Sequence, residues 1–210
     1  MTSEVSTMNT ATNLANREYQ GIGIPGLEHM PTSFIPVPRI KLVQSNTQDV
    51  LLADGQTEAR KGTFYYENFQ QTEDTLHIAI LSAKPMTHTG PSLDDPTKEE
   101  TKRSIGIIFY DFLLNKVFTM RFSPGSFQSW RKLVGAAVAA HEAGDMATFF
   151  SREVIVKTEL IKDGSRSWYA LVFNLGRVVS EEEMEMLTPL YEQFNSYFTQ
   201  ESDATKEEAA

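Results

Sequence analysis

The sequence predicts a mainly β protein: a five-stranded antiparallel barrel with one inserted helix, followed by a C-terminal helix. Three observations predict it. Short aromatic and β-branched runs recur along the chain, each bounded by turn residues. Asp163-Gly164 separates two of these runs, a strong hairpin signal. Apolar residues spaced three and four apart mark two helices, and hairpins rather than single strands lie between them. That order argues against a doubly wound parallel sheet, in which strands and helices alternate. An α+β sandwich with the same element order is the structural rival.

The elements follow in chain order. Residues 1–33 are rich in Thr, Asn, Ser and Gly and are expected to form a disordered or extended arm. Gly21-Ile22-Gly23-Ile24-Pro25-Gly26 matches G-x-G-x-x-G, but no strand precedes it and Pro25 stands inside it. It therefore reads as a linker rather than a dinucleotide cradle. The opening residues lack a basic region followed by an apolar run, so no signal peptide is expected. No run approaches the roughly 18 apolar residues of a membrane span. The barrel domain is expected over 34–178. Pro36 and Pro38 keep its opening extended, leading into an edge strand at Arg39–Val43. Arg39 and Lys41 share one face of that strand, Ile40 and Leu42 the other.

Gln44–Lys61 is polar, with a turn at Asp54-Gly55. Gly62–Phe69 reads as a strand, and Thr75–Ala83, almost continuously apolar, as a strand covered on both sides. Met86–Arg103 has two prolines, Gly90 and a charged cluster, and reads as a long functional or disordered loop. Two further strands flank a turn at Leu114-Asn115-Lys116. In the second, Phe118, Met120 and Phe122 form the core face. Ser123-Pro124 supplies an N-cap and first helical residue. The helix then carries Phe127, Trp130, Leu133, Val134, Ala137 and Val138 on one face, and Gly144 stops it. Arg152–Lys162 and Ser167–Asn174 form the last hairpin. Ser180 and Glu183 make a capping box for a helix over 179–199, with Met184, Leu187, Tyr191, Phe194 and Phe198 as its apolar stripe. Pro189 is expected to kink or break it. Residues 200–210 read as an acidic disordered tail.

Catalytic chemistry finds no foothold. There are no cysteines, hence no disulfide framework, thiolate zinc site or cysteine nucleophile. His29, His77, His88 and His141 have no partner at metal-ligand spacing. Ser123 and Ser126 lie in no G-x-S-x-G elbow, and no phosphate-cradling G-x-x-x-x-G-K is present. Glu181, Glu182 and Glu183 suit a helix first turn. No cofactor, no metal and no enzymatic activity are expected.

The charge distribution points elsewhere. The net charge is −9, but Val178–Ala210 holds nine acids against Lys206, a net of −8, leaving the body near neutral at −1. A neutral body with an acidic arm is compatible with a polyanionic partner. Single-stranded nucleic acid is held by stacking on aromatic rings beside a cationic groove. Candidate platforms are Tyr65, Tyr66, Phe109 or Tyr110, and Trp168. Candidate phosphate contacts are Lys84, Arg103, Arg121, Lys157, Arg166 and Arg177.

Five strands with a helix between the third and fourth is the order of an OB-fold barrel. With an OB-like core, an apolar helix and an acidic terminus, the chain from about Arg39 to Ala210 resembles bacteriophage-type single-stranded DNA-binding proteins in layout. Its Pro38-Arg39-Ile40-Lys41-Leu42-Val43-Gln44 segment is similar to openings of uncharacterised phage proteins. The resemblance implies a protein that coats single-stranded DNA, or RNA, with little sequence preference, in replication or recombination. It implies a cytoplasmic setting, that of the host if the protein is viral, and replication proteins recruited by the acidic arm. The alternative is a structural protein that forms a homo-oligomer, or docks partners, through its C-terminal helix. Neither reading requires a membrane.

Overall fold

In the computed structural model, which describes residues 37–91, 97–144 and 149–195, the most apolar runs of the sequence become the central strands of a sheet buried on both faces. That sheet has five strands: β4 (Leu76–Pro91), β5 (Glu99–Asp111), β6 (Lys116–Phe122), β7 (Arg152–Asp163) and β8 (Arg166–Val178). Their order is β6-β5-β4-β7-β8, and every neighbouring pair is antiparallel. A smaller antiparallel sheet precedes it, formed by β1 (Ile40–Leu42), β2 (Phe64–Tyr66) and β3 (Gln71–Glu73) in that order. Helix α1 (Phe127–Glu142) lies between β6 and β7, and helix α2 (Glu181–Phe194) follows β8. The protein is thus mainly β, with the helix placement expected. The N-terminal arm, the Gly21–Gly26 linker, Phe198 and the 200–210 tail lie outside the described residues.

Alternation within the strands sorts the side chains into two cores. Ile78, Ile80, Ile107, Phe109, Phe118 and Met120 meet Ile40, Phe64 and Tyr66 of the small sheet and Leu133 of α1. Ala79, Leu81, Ile108, Tyr110 and Val117 meet Leu187, Leu190 and Phe194 of α2. With both faces covered, β4 and β5 need apolar residues at nearly every position through their central stretches. Each large side chain so buried contributes about 1.5–3 kcal/mol. Tyr66 packs edge-on against Phe118 with ring centroids 5.2 Å apart, and Phe122 meets Phe173 at 5.1 Å.

The β5–β6 turn is organised by a buried carboxylate. Asp111 accepts hydrogen bonds from the Tyr66 hydroxyl at 2.6 Å, the Leu113 amide at 2.8 Å and the Leu114 amide at 3.1 Å. Asn115 then takes φ +52, a left-handed turn conformation that Asn tolerates better than most residues. Ser180 and Glu183 form the reciprocal capping box of α2, with Glu183 N–H donating to Ser180 Oγ at 3.2 Å and Ser180 N–H to Glu183 Oε2 at 2.7 Å.

Several expectations are corrected. No closed barrel forms among the described residues: β6 and β8 are the edges of an open sheet. The outer edge of β8 is instead sealed by side chains. Gln44 accepts from Tyr169 N–H through Oε1 and donates to its carbonyl through Nε2, both at 2.8 Å, while Ser126 Oγ and Ser129 Oγ accept from Leu171 and Phe173 N–H. Sealing an exposed strand edge in this way removes a template for unwanted pairing. Within the expected Met86–Arg103 loop, the residues up to Pro91 and from Glu99 onward are strand. Thr87–Pro91 pairs with Glu99–Arg103, extending β4 and β5 into a two-stranded arm beyond their neighbours. Ser123 precedes a 3-10 turn (Pro124–Ser126) but makes no side-chain cap bond. Val138 is 51% exposed because α1 meets the core through Phe127, Trp130 and Leu133 in its first half. Helix α2 does not break at Pro189, and Met184, Leu187, Tyr191 and Phe194 of its apolar stripe pack on its own sheet.

Candidate functional site

Residue parity in β2 decides which aromatic is available. Phe64 and Tyr66 point into the core, so Tyr65 between them points outward and is half-buried. Its cross-strand partner is Lys41, on the same outer face. Tyr66 is 1% exposed, Phe109 0% and Tyr110 4%. None of these three rings offers a stacking face, because each fills the space between the sheet and its cover. Burial also disfavours the phenolate of Tyr110, pushing its pKa up to about 12.

Tyr65 lies on the wall of a groove of about 700 Å3 lined by residues of the small sheet, β6 and β8. Arg39, Lys41 and Arg121 line it with Tyr65, and Ser126 and Leu171 close the far side. A second cleft of about 560 Å3 adjoins it at the ends of β5 and β6, lined by Arg103 and Ser104 of β5, Arg121 and Phe122 of β6, Ser123 and Arg39. Arg39, Arg121, Phe122 and Ser123 are common to both. Two local features bring the arginines together. The Arg39–Thr119 bridge, reinforced by Thr119 N–H donating to the Pro38 carbonyl at 2.9 Å, lays the segment before β1 along the edge of β6. Arg121 then stands on β6 opposite Gly106, and Lys84 stands opposite Gly106 on its other side, so Lys84 and Arg121 share one cross-strand row.

Electrostatics single out these arginines. Arg39, Arg103 and Arg121 are exposed, and among the described residues none forms an ion pair or side-chain hydrogen bond. Lys41 pairs with Glu67, Arg60 with Asp74, and Lys61 with Asp49 at 3.6 Å. Arg177 is also engaged, against expectation. Its guanidinium grips Glu183 through two 2.6 Å bonds, reaches Glu153 at 3.7 Å and lies over the Phe112 ring. That clamp holds the Glu183 carboxyl well below its ordinary value of 4.5, at about 2. Arg177 therefore fastens α2 to β8 and is removed from the phosphate contacts.

The remaining candidates lie on the β7–β8 hairpin. Lys157 pairs across the strands with Val172, and Arg166 stands at the tip opposite Asp163. Trp168 is half-buried against the start of α1: a Cβ at Gly125 would fall 2.7 Å from its Nε1. Glu159 separates Lys157 from Ile161, the cross-strand partner of Trp168. The structure thus places Tyr65 and Arg121 on one groove and Arg103 and Arg121 on the adjoining cleft, sets Lys84 in the cross-strand row of Arg121, and leaves Lys157, Arg166 and Trp168 on a separate surface. Arg39 and Ser104 were missed as site residues. The alternation of Arg39 and Lys41 with Ile40 and Leu42 marked an outward cationic face, whereas nothing local marks Ser104.

Among the described residues no three metal-ligating side chains cluster, and no helix is long and apolar enough to cross a membrane. No family model matches the chain, and neither a curated protein nor a solved structure matches it.

Proposed function

We propose that the protein binds single-stranded DNA without marked sequence preference and without catalysis, as a coating protein of replication or recombination. One observation carries the reading: three arginines with no carboxylate partner among the described residues line two adjoining grooves, one of them walled by an outward-facing tyrosine. Guanidinium groups suit phosphate recognition because their planar fork donates paired hydrogen bonds. A tyrosine ring on the same wall supplies a sequence-tolerant stacking face. Single-stranded RNA presents the same two features and is the natural comparison substrate. The interaction-protein alternative loses its main support, since the apolar stripe of α2 is occupied by its own sheet. Replication proteins binding the acidic C-terminal residues, and self-association on the strand, belong to the same proposal.

Fluorescence anisotropy with labelled oligothymidine at two salt concentrations tests it. Releasing counterions at three or more phosphates gives a log affinity that falls with log salt at a slope of about −2 or steeper. Arg39→Glu combined with Arg121→Glu is expected to abolish binding, and Tyr65→Ala to cost about 1–3 kcal/mol. Absence of any anisotropy change at low salt would end the proposal.

A further inference from the structure

Ser104 is 6% exposed, and its hydroxyl has no hydrogen-bond partner. Native proteins seldom leave a buried polar group unsatisfied, and each one that remains calls for an explanation, a bound water or ion among them. Ser104 lines the cleft at the ends of β5 and β6. Arg103 precedes it in the chain, and β6, the turn after it and the segment before β1 contribute Arg121, Ser123 and Arg39. Ser123 Oγ makes no cap bond, so a second hydroxyl is available at the same place. Glu100 and Lys102 also stand on the lining. Even with Glu100 counted, the balance is strongly positive.

This donor set exceeds what an internal phosphodiester can use. A diester carries one negative charge and two free oxygens. A phosphate monoester carries about −1.5 to −2 and presents three free oxygens. We infer that this cleft holds a phosphate monoester at the end of a nucleic-acid strand, with Arg39, Arg103 and Arg121 around its oxygens and the Ser104 hydroxyl donating to one of them. The adjoining groove with Tyr65 then receives the nucleotides next to that end. The inference rests on the proposed strand binding for its source of phosphate. Free phosphate offers the same chemistry, so the experiment separates the two.

Oligothymidines labelled at an internal base and ending in a 5′-phosphate, a 3′-phosphate or two hydroxyls are titrated against the wild type. One phosphorylated strand is expected to bind about tenfold tighter than the unphosphorylated one, the scale of one or two charge-assisted hydrogen bonds. Inorganic phosphate at millimolar concentration should erase that ratio. In Arg103→Gln and in Ser104→Ala the ratio should fall toward one. Ser104→Ala removes a hydroxyl that has no partner, so folding is not threatened. Equal, salt-dependent binding of all three strands by the wild type overturns the cleft inference and leaves strand binding standing. An unchanged ratio in Arg103→Gln overturns it too. If no strand binds, strand binding falls, and the cleft inference survives only if inorganic phosphate raises the wild-type melting temperature and not that of Arg103→Gln.

Discussion

Tyr65 and Tyr66 are adjacent and chemically identical, yet one faces the groove and the other holds the turn between β5 and β6. Tyr66 donates to the buried Asp111 carboxylate, and that carboxylate orients the Leu113 and Leu114 amides. Tyr66→Phe keeps the ring and its packing against Phe118 but removes one of three donors to a buried charge. The expected loss is about 1–3 kcal/mol of stability, read as a lower urea midpoint with an unchanged slope. Oligothymidine affinity should not change, because Tyr66 is buried and lines neither groove. An altered affinity at unaltered stability would instead make Tyr66 part of the interface. Which of two neighbouring tyrosines faces out is a matter of register. The sequence alone shows a three-residue aromatic run, too short for parity to choose a face. In β6 the choice was legible, because Phe118, Met120 and Phe122 alternate with Thr119 and Arg121 over a full strand. Phe109 and Tyr110 defeat parity for another reason. Both faces of β5 are covered there, so no outward position exists for either ring.

The elements differ in how much of themselves they announce. Helix α2 was legible from its capping box, and its clamp to β8 through Arg177 and Glu183 gives it a testable pH signature. The Glu183 carboxyl is held at about 2 against 4.5 ordinarily, first by the Arg177 hydrogen bonds. A depressed carboxylate stabilises the fold fully above its unfolded pKa and loses that contribution as pH falls through the folded one. The difference in melting temperature between wild type and Glu183→Gln should therefore be greatest near neutrality and shrink between pH 4.5 and about 2. A difference that stays constant across that window would show that the charge of Glu183 contributes nothing. The β4–β5 arm was not legible, and the reason is its exposure. Thr87, Thr89 and Glu99 through Thr101 are exposed, and Arg103 is too. With no buried face there is no selection for alternation, and Gly90 and Pro91 imitate a loop. Strand β3 is hidden likewise, being three half-buried polar residues at the edge of a small sheet. The failure of closure was also beyond local reading, since Gln44 and Tyr169, which seal the edge of β8, are 125 residues apart.

At the scale of the whole molecule, charge and architecture divide the protein. Five of the acids C-terminal to Val178 sit on α2, which covers the outer core, and Glu183 among them is neutralised by Arg177. Arg39, Arg103 and Arg121, unpaired among the described residues, line the grooves beside β6 and the end of β5. Residues 200–210 add four acids against Lys206, a net of −3. If the protein binds a strand as proposed, these tethered acids would compete with it for the same cations at a local concentration that does not dilute. Deleting 200–210 is therefore expected to tighten oligothymidine binding about two- to fivefold at low salt, where the Debye length of roughly 30 Å lets the tail's charge reach the groove. Near 1 M salt that length falls to roughly 3 Å, and the gain should vanish. Adding the same eleven residues back as a free peptide should not restore the competition at micromolar concentration, because tethering supplies the effective concentration. A gain that persists at high salt would mean the tail blocks the groove by contact rather than charge, and no gain at any salt would assign its acids to another partner.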